Sequence, residues 1–380
     1  MKYWRGYLVA GILAAIAAAL TQFAQAHGVL VDMIYPYMTR MVIGSLAEWS
    51  SAVSVCLWQV LVVLLIAGGA ASAVLMVLLR WHPVQWFGWI LAVTSCIFLL
   101  NTALYGLNDF TGPLADDVHL EMKEYTVAEL SEAAEYYRDQ ANELAAKVSR
   151  DSAGNADFDV FDDLTVQAAS GFRVLTYEEN MAIFAGSTVP VKQLSWKDRY
   201  TAKGISGVTV ALTGESAVNP DVPTVAMPFA ICREMSRRMS IAGEENTKYA
   251  AYLACRANPS LEFRYSAYCI AYYHCYSALA AVPTQTAQAA AAQVAAGANQ
   301  LVKNDLQDYE AFFGPYTEAG GDTMTDMLTC WYIQTYITPL HVEVEDPFDP
   351  LNPEMVDITY TEPTPTSLEE WEKRRGGADR

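Results

Sequence analysis

Imidazole and cationic nitrogen are both scarce in this chain. Five histidines occur in 380 residues, and 24 lysines and arginines face 43 aspartates and glutamates, a formal net charge of −19 at pH 7. That balance excludes nucleic acid as a partner, because tracking a phosphate backbone needs a basic surface and no segment clusters Lys and Arg. The histidines form no pair at ligand spacing: His27 and His82 flank apolar stretches, and His119, His274 and His341 stand alone. His274, on a Tyr-rich segment, is expected to be a hydrogen-bonded core or surface residue. Cysteine offers no substitute. Seven occur, none in a CxxC spacing, which argues against a zinc–thiolate site. Five lie late in the chain (Cys232, Cys255, Cys269, Cys275 and Cys330); an oxidising exterior permits disulfides there, but most are expected to act as small buried apolar side chains. The acidic loop Asp151 to Asp163 lacks the ligand order and glycine of an EF-hand, so it is read as solvated rather than calcium-binding.

Apolar residues are plentiful, at 53% of the chain with mean hydropathy +0.13. They crowd into three stretches: Tyr7 to Phe23, Val53 to Leu79, and Trp86 to Leu104. The second and third meet the length of roughly 20 residues needed to cross a bilayer. The first is a span or a signal peptide, since Ala24-Gln25-Ala26 fits a small-x-small cleavage site. Trp81, Trp86 and Trp89 gather at one boundary, as interfacial aromatics do. Lys2 and Arg5 precede the first stretch, and Arg80 lies in the short link between the second and third. Arg40 is the single basic residue in the intervening His27–Ser51 loop. The positive-inside rule then places the N-terminus and the Arg80 link in the cytoplasm and everything after residue 107 outside. The expected division is a membrane region over 1–107, an outer domain over 108–340, and an acidic Pro-rich tail over 341–380 that is extended or disordered. The spans carry few polar residues, Gln59 and Asn101 among them, and no run of charges, which argues against transport.

Within the outer part, Val127 to Arg150 has helical spacing, with Leu130, Ala133, Ala134, Tyr137, Ala141, Leu144 and Val148 on one side. Leu164 to Phe184 is expected to be helical as well. Val189 to Val218 mixes β-like runs with turn residues and predicts a short strand or hairpin. Helices are then expected over Pro223–Met239, Glu244–Ala257 and Leu261–Leu279, with Glu244 and Lys248 as an i,i+4 pair, and one long Ala-rich helix over Thr286–Phe313.

The first of these three carries Arg233-Glu234-Met235-Ser236-Arg237. In a working HExxH helix, two histidines four residues apart hold Zn²⁺ and the Glu between them acts as general base on the metal-bound water. Here only the Glu is present. Arginine stays protonated and offers no lone pair to a cation.

The surrounding residues supply a resemblance. The three early spans lead into Tyr105-Gly106-Leu107-Asn108 and Glu124-Tyr125-Thr126-Val127-Ala128-Glu129-Leu130. Then come Gly204-Ile205-Ser206-Gly207, Thr213-Gly214-Glu215 and Met227-Pro228-Phe229-Ala230-Ile231-Cys232, followed by Glu244-Glu245-Asn246 and Tyr252-Leu253-Ala254-Cys255. This order, over roughly residues 5 to 280, resembles the bacterial domain-of-unknown-function family 3810. The resemblance implies a mainly α chain: three N-terminal transmembrane helices, then an extracytoplasmic zincin-like domain with a short β element. It also implies a zinc site whose two histidine positions fall on Arg233 and Arg237, whose base falls on Glu234, and whose third ligand falls on Asn246. With those ligand types replaced, no metal or other cofactor is expected in this chain.

Two readings of the altered pocket follow. Arg233 and Arg237 with Glu234, Glu244 and Glu245 form a closed ion-pair network in place of the metal. Alternatively, the arginines form a fork for a carboxylate or phosphate, such as the end of an envelope peptide. The function expected is a non-catalytic, metallopeptidase-like binding or scaffolding module at the bacterial cell envelope, with the lipid bilayer as one partner. The alternative is a membrane-bound metallopeptidase whose metal is held by other residues such as Glu234, Glu244 or Glu245. A third possibility is an outer domain that supports a membrane function of the three spans.

Overall fold

The structure, a computed structural model, describes residues 2–118, 120, 125–316 and 327–337. The acidic tail therefore lies outside the described residues, as do His119 and His341.

Four long helices open the chain: α1 (Arg5–Ala26), α2 (Gly28–Ser50), α3 (Leu57–Leu78) and α4 (Pro83–Leu104). Three of them, α1, α3 and α4, are long and apolar enough to cross a membrane. Their shared limits follow from composition: His27, the turn before Leu57, and His82-Pro83 interrupt the apolar runs, and Pro83 suits a first helical turn. Helices α1 and α4 pack along a seam of small residues (Gly6, Ala10, Ala17 and Ala24 against Gly88, Ala92 and Thr102), which lets the backbones approach closely. A Cβ on Gly6 would come within 2.4 Å of the Gly88 carbonyl carbon. Tyr3 and His82 meet in a tilted ring contact with centroids 4.3 Å apart, so both helices start at the same end. Helix α3 buries only Gln59.

Helix α2 corrects the expectation of a loop between the first two apolar stretches. It runs for 23 residues with Pro36 inside it. Its apolar residues fall on two opposite faces, so neither a long apolar run nor a one-sided stripe announces it.

After a 3-10 turn (Gly106–Phe110) come α5 (Leu114–Asp117), α6 (Val127–Ala145), α7 (Phe161–Arg173) and α8 (Lys197–Thr201). Thr126 and Glu129 form a capping box at the start of α6: the Thr126 N–H donates to Glu129 Oε2 (2.7 Å) and the Glu129 N–H donates to Thr126 Oγ1 (3.2 Å). A three-stranded sheet has the order β1 (Lys192–Gln193), β3 (Glu215–Val218), β2 (Gly207–Val210). Strands β2 and β3 form the antiparallel hairpin expected from the sequence, pairing Gly207 with Val218 and Val210 with Glu215. Strand β1 adds a parallel neighbour to β3.

The remaining helices are α9 (Met227–Arg238), α10 (Glu244–Arg256), α11 (Leu261–Ala281), α12 (Gln285–Gly297), α13 (Gln300–Phe313) and α14 (Met327–Ile337). The single long helix expected over Thr286–Phe313 is thus two. Asn299 breaks it: its Oδ1 accepts from the Val302 N–H (2.8 Å) to cap α13, while its own N–H donates to Asn142 Oδ1 on α6 (2.8 Å). The core between α6, α9, α10, α11 and α14 is rich in buried aromatics, among them Tyr137, Tyr249, Tyr252, Tyr265 and Trp331. Tyr137 donates its hydroxyl to the Tyr332 carbonyl (2.6 Å), which gives a buried phenol its partner. Six of the seven cysteines are buried.

The sheet is latched to the N-terminal helices. The buried Glu215 carboxylate accepts from the Leu57 and Trp58 N–H groups (both 2.8 Å), satisfying free donors at the first turn of α3. Lys192 donates to Glu215 (2.5 Å), to the Ser50 carbonyl (2.9 Å) and to the Val55 carbonyl (3.0 Å). Gly214, at φ +69°, sits so close to α2 that a Cβ would lie 2.3 Å from the Ala47 nitrogen. Thr213-Gly214-Glu215 is therefore a docking turn: the glycine permits contact with α2, and the acid caps α3.

Candidate functional site

Helix α9 begins with Pro228 in its first turn and buries Phe229, Ala230, Ile231, Cys232 and Met235. Four residues apart, Arg233 and Arg237 share one flank. Glu234, between them in sequence, is fully buried against β2. Gly207 makes room for it: a Cβ there would stand 2.5 Å from Glu234 Cγ. The hairpin holds Glu234 by both backbone and side chain. Thr209 Oγ1 donates to Glu234 Oε2 (2.8 Å), and Ser216 Oγ donates to the Glu234 carbonyl (2.8 Å).

Gly243, at φ +84°, turns the chain into α10 and sets Glu244 in its first turn, where the helix dipole favours a carboxylate. Arg233 Nη1 donates to Glu244 Oε1 (3.0 Å) and Arg237 Nη2 donates to Glu244 Oε2 (2.6 Å). On the other side, Arg233 Nη2 donates to Glu234 Oε1 (3.2 Å), and Arg237 Nη1 lies 3.9 Å from the same oxygen. Lys248 Nζ is 3.6 Å from Glu244 Oε1, the i,i+4 pair expected from the sequence. The result is a chain of alternating charge joining β2, α9 and α10. Burial alone would favour a neutral Arg233; Glu234 and Glu244 override it and raise its pKa. Burial would likewise raise the Glu244 pKa, but Arg233, Lys248 and Arg237 hold that carboxyl below its ordinary range.

Two other sequence candidates stand differently. Asn246 turns away from the arginines: its Oδ1 accepts from the Leu114 N–H (3.1 Å) and its Nδ2 donates to the Ala242 carbonyl (2.8 Å), tying α10 to α5. Glu245 is half-buried in the first turn of α10. Among the described residues, no three His, Cys, Asp or Glu side chains converge as a metal-binding group. The donors that do converge are two carboxylates already engaged by guanidiniums, with no imidazole beside them. That set does not suit Zn²⁺.

A cavity of about 520 Å³ adjoins the network. Arg233, Glu244 and Lys248 line one part of it, and Phe229, Tyr273 and Tyr309 line another. His274 also faces it, with Nε2 3.1 Å from Thr329 Oγ1 and its ring 5.5 Å from that of Tyr332.

Several residues that matter here were not among the site residues expected from the sequence. Tyr105, which caps α4, donates its hydroxyl to the Ile241 carbonyl just past α9 (3.3 Å). Thr39 Oγ1 lies 2.9 Å from Ser240 Oγ, and Arg40 Nε donates to the Met239 carbonyl (3.1 Å). Arg238, buried beneath the network, donates to the Ser187 and Val189 carbonyls, and burial lowers its pKa. Nothing in a linear pattern separates Arg238 from its neighbour Arg237. The glycines and hydroxyls of Gly204–Gly207 and Val208–Ser216 were the available signal, as residues that let a hairpin press on a helix.

The family model described as "Protein of unknown function (DUF3810)" matches residues 31–335, most of the chain. No curated protein matches, and no solved structure matches.

Proposed function

We propose that this chain, which belongs to the DUF3810 family, is a membrane-anchored, zincin-like module that binds or scaffolds an envelope component and carries no catalytic metal. The carrying observation is charge closure on α9. Arg233 and Arg237 stand where an HExxH helix has its histidines, and each pairs with both Glu234 and Glu244. A general base needs a lone pair turned towards water. Glu234 is wholly buried, with its oxygens accepting from Arg233 and Thr209, which supports a structural role. The cavity beside the network, with its tyrosines and Lys248, is the proposed ligand site, suited to a peptide or other carboxylate-bearing molecule. The domain lies outside the cytoplasm in this reading. The contact of Tyr3 with His82 supports that orientation, because it puts the Arg5 and Arg80 ends of the spans together, away from the domain.

Elemental mass spectrometry of the purified full-length protein tests the proposal. The wild type is expected to hold no zinc above background. The double substitution Arg233→His with Arg237→His places two imidazoles beside Glu244 and is expected to take up zinc. Stoichiometric metal in the wild type would overturn the proposal in favour of a metallopeptidase with rewired ligands. A double variant that binds none would sink the zincin-like part alone.

A further inference from the structure

Helix α2 has two apolar faces, and the protein uses only one. Ile43, Gly44, Ala47 and Ser50 are buried on the inner face, with Thr39 and Arg40, whose bonds reach Ser240, Met239 and Ala182. On the opposite face Leu30, Ile34, Tyr37, Met38, Met41 and Trp49 are exposed, from 42% at Leu30 to 76% at Trp49. At about 100° per residue these six fall on one strip. Ser45 and Glu48 are the polar residues exposed within it. A helix flank that faces water normally carries polar side chains, and a continuous apolar strip of this length marks an interaction surface.

The flanking chain identifies what covers it. Helix α1 ends at Ala26, next to the His27 joint, and α3 begins at Leu57, a short turn after Ser50. Both neighbours are long and apolar enough to cross a membrane, whereas α2 is not among the candidate spans. The Tyr35 hydroxyl also bonds the Thr102 and Ala103 carbonyls at the end of α4 (3.2 and 3.0 Å). A helix about 35 Å long, with both termini and one turn held at the same ends of three spans, lies along the membrane face. We infer that α2 is an interfacial helix, with its Leu30–Trp49 strip inserted at the headgroup–acyl boundary of the leaflet on the domain side.

The insertion seats the functional site. Met239 and Ser240 are held from α2, and Ile241 is held by Tyr105 at the end of α4. The C-terminal end of α9, which carries Arg237, therefore stands next to the bilayer. A ligand of the adjoining cavity meets the protein at the membrane surface. Only this last consequence rests on the proposed binding role; the seat of α2 does not.

Spin-label accessibility on the full-length chain in phospholipid nanodiscs tests the inference. Cys96 is the exposed thiol, so labels go onto a Cys96→Ala background. Three single sites are compared: Met41→Cys in α2, Leu64→Cys in α3, and Tyr177→Cys on the outer domain, exposed by 71%, 60% and 79%. The Met41 label is expected to collide with oxygen in preference to a water-soluble nickel chelate, as the Leu64 label does. A Met41 label that matches Tyr177 overturns the inference, and so does a Leu64 label that itself reads as aqueous. Brominated phospholipid gives a second readout free of labels. Quenching of tryptophan emission is expected to fall in Trp49→Phe relative to wild type, and undiminished quenching counts against the insertion.

Discussion

Substituting Glu234 by glutamine separates a structural glutamate from a catalytic one. The side chain is fully buried and keeps its shape in the variant, but it loses the charge that Arg233 and Arg237 face at 3.2 and 3.9 Å. Removing one partner of a buried ion pair costs roughly 3–5 kcal/mol. Here the arginine side chains are 14% and 24% exposed and retain Glu244, and glutamine can still accept from Thr209. A loss of about 2–4 kcal/mol follows, or roughly 5–15 °C in melting temperature for a domain of this size. The assay is thermal unfolding of the purified protein in detergent, with Glu132→Gln, at an exposed position on α6, as the control for a surface charge change. Adding Arg233→Met to Glu234→Gln should cost less than the sum of the single changes, because the second removes a cation the first has stranded. A Glu234→Gln variant that melts with wild type and loses a hydrolytic activity would refute the reasoning. Catalytic bases are characteristically replaceable at little cost to stability, and the buried network would then have been misjudged.

Three further outcomes are expected. Glu215→Ala leaves the Lys192 ammonium, only 10% exposed, without its carboxylate and frees two N–H groups at the start of α3; a loss of about 3–5 kcal/mol should appear in the melt, partly recovered by adding Lys192→Met. Glu244 has its pKa lowered in the folded protein, so its contribution is present above the ordinary carboxylate range and disappears as pH falls through the folded value. The melting difference between wild type and Glu244→Gln should therefore hold from about pH 8 to about pH 6 and be lost only as the pH falls below the ordinary carboxylate range, staying under about 1 kcal/mol because the side chain is 49% exposed. Alkaline phosphatase fused after Arg380 should be active and a fluorescent protein fused there dark, if the domain lies outside the cytoplasm; the reverse pattern rejects that orientation.

The sequence made some of this architecture legible and hid the rest for identifiable reasons. The apolar runs marked α1, α3 and α4 because crossing a bilayer demands a length that few other structures need. Helix α2 escaped because apolar residues on both faces cancel the one-sided periodicity that signals a helix, and because Pro36 reads as a breaker. The division between α12 and α13 depends on Asn142, more than 150 residues from the Asn299 it meets, and no local pattern carries that contact. At the candidate site, the i,i+4 spacing put Arg233 and Arg237 on one flank correctly, since helix geometry alone decides it. Which acid on α10 meets them was not so fixed. It depends on where Gly243 turns the chain, and that turn brings Glu244 to the arginines while Asn246 faces Leu114. Glu234 was visible as a retained acid, but its burial was not, since that rests on Gly207 being bare enough for β2 to lie against it.

Charge accounting at the network bears on what the neighbouring cavity selects. Glu234 and Glu244 carry two negative charges, and Arg233 and Arg237 carry two positive ones, each within 4 Å of an opposite partner. Four groups that neutralise one another leave little field for a ligand, and a carboxylate entering as a third acid would have to displace Glu244 from both guanidiniums. The arginines are thus poor candidates for ligand selection in spite of their charge. Lys248 is placed differently: it is 39% exposed, lines the cavity, and meets Glu244 only at 3.6 Å. In the proposed binding role, Lys248 supplies the attraction for an anionic group, while Tyr273 and Tyr309, their rings 4.9 Å apart, supply the flat apolar wall. The network then does for this cleft what a bound metal does in an HExxH helix, which is to hold α9 against α10. In that reading it fixes α9 against α10 without offering the open coordination position that a hydrolytic metal centre would need.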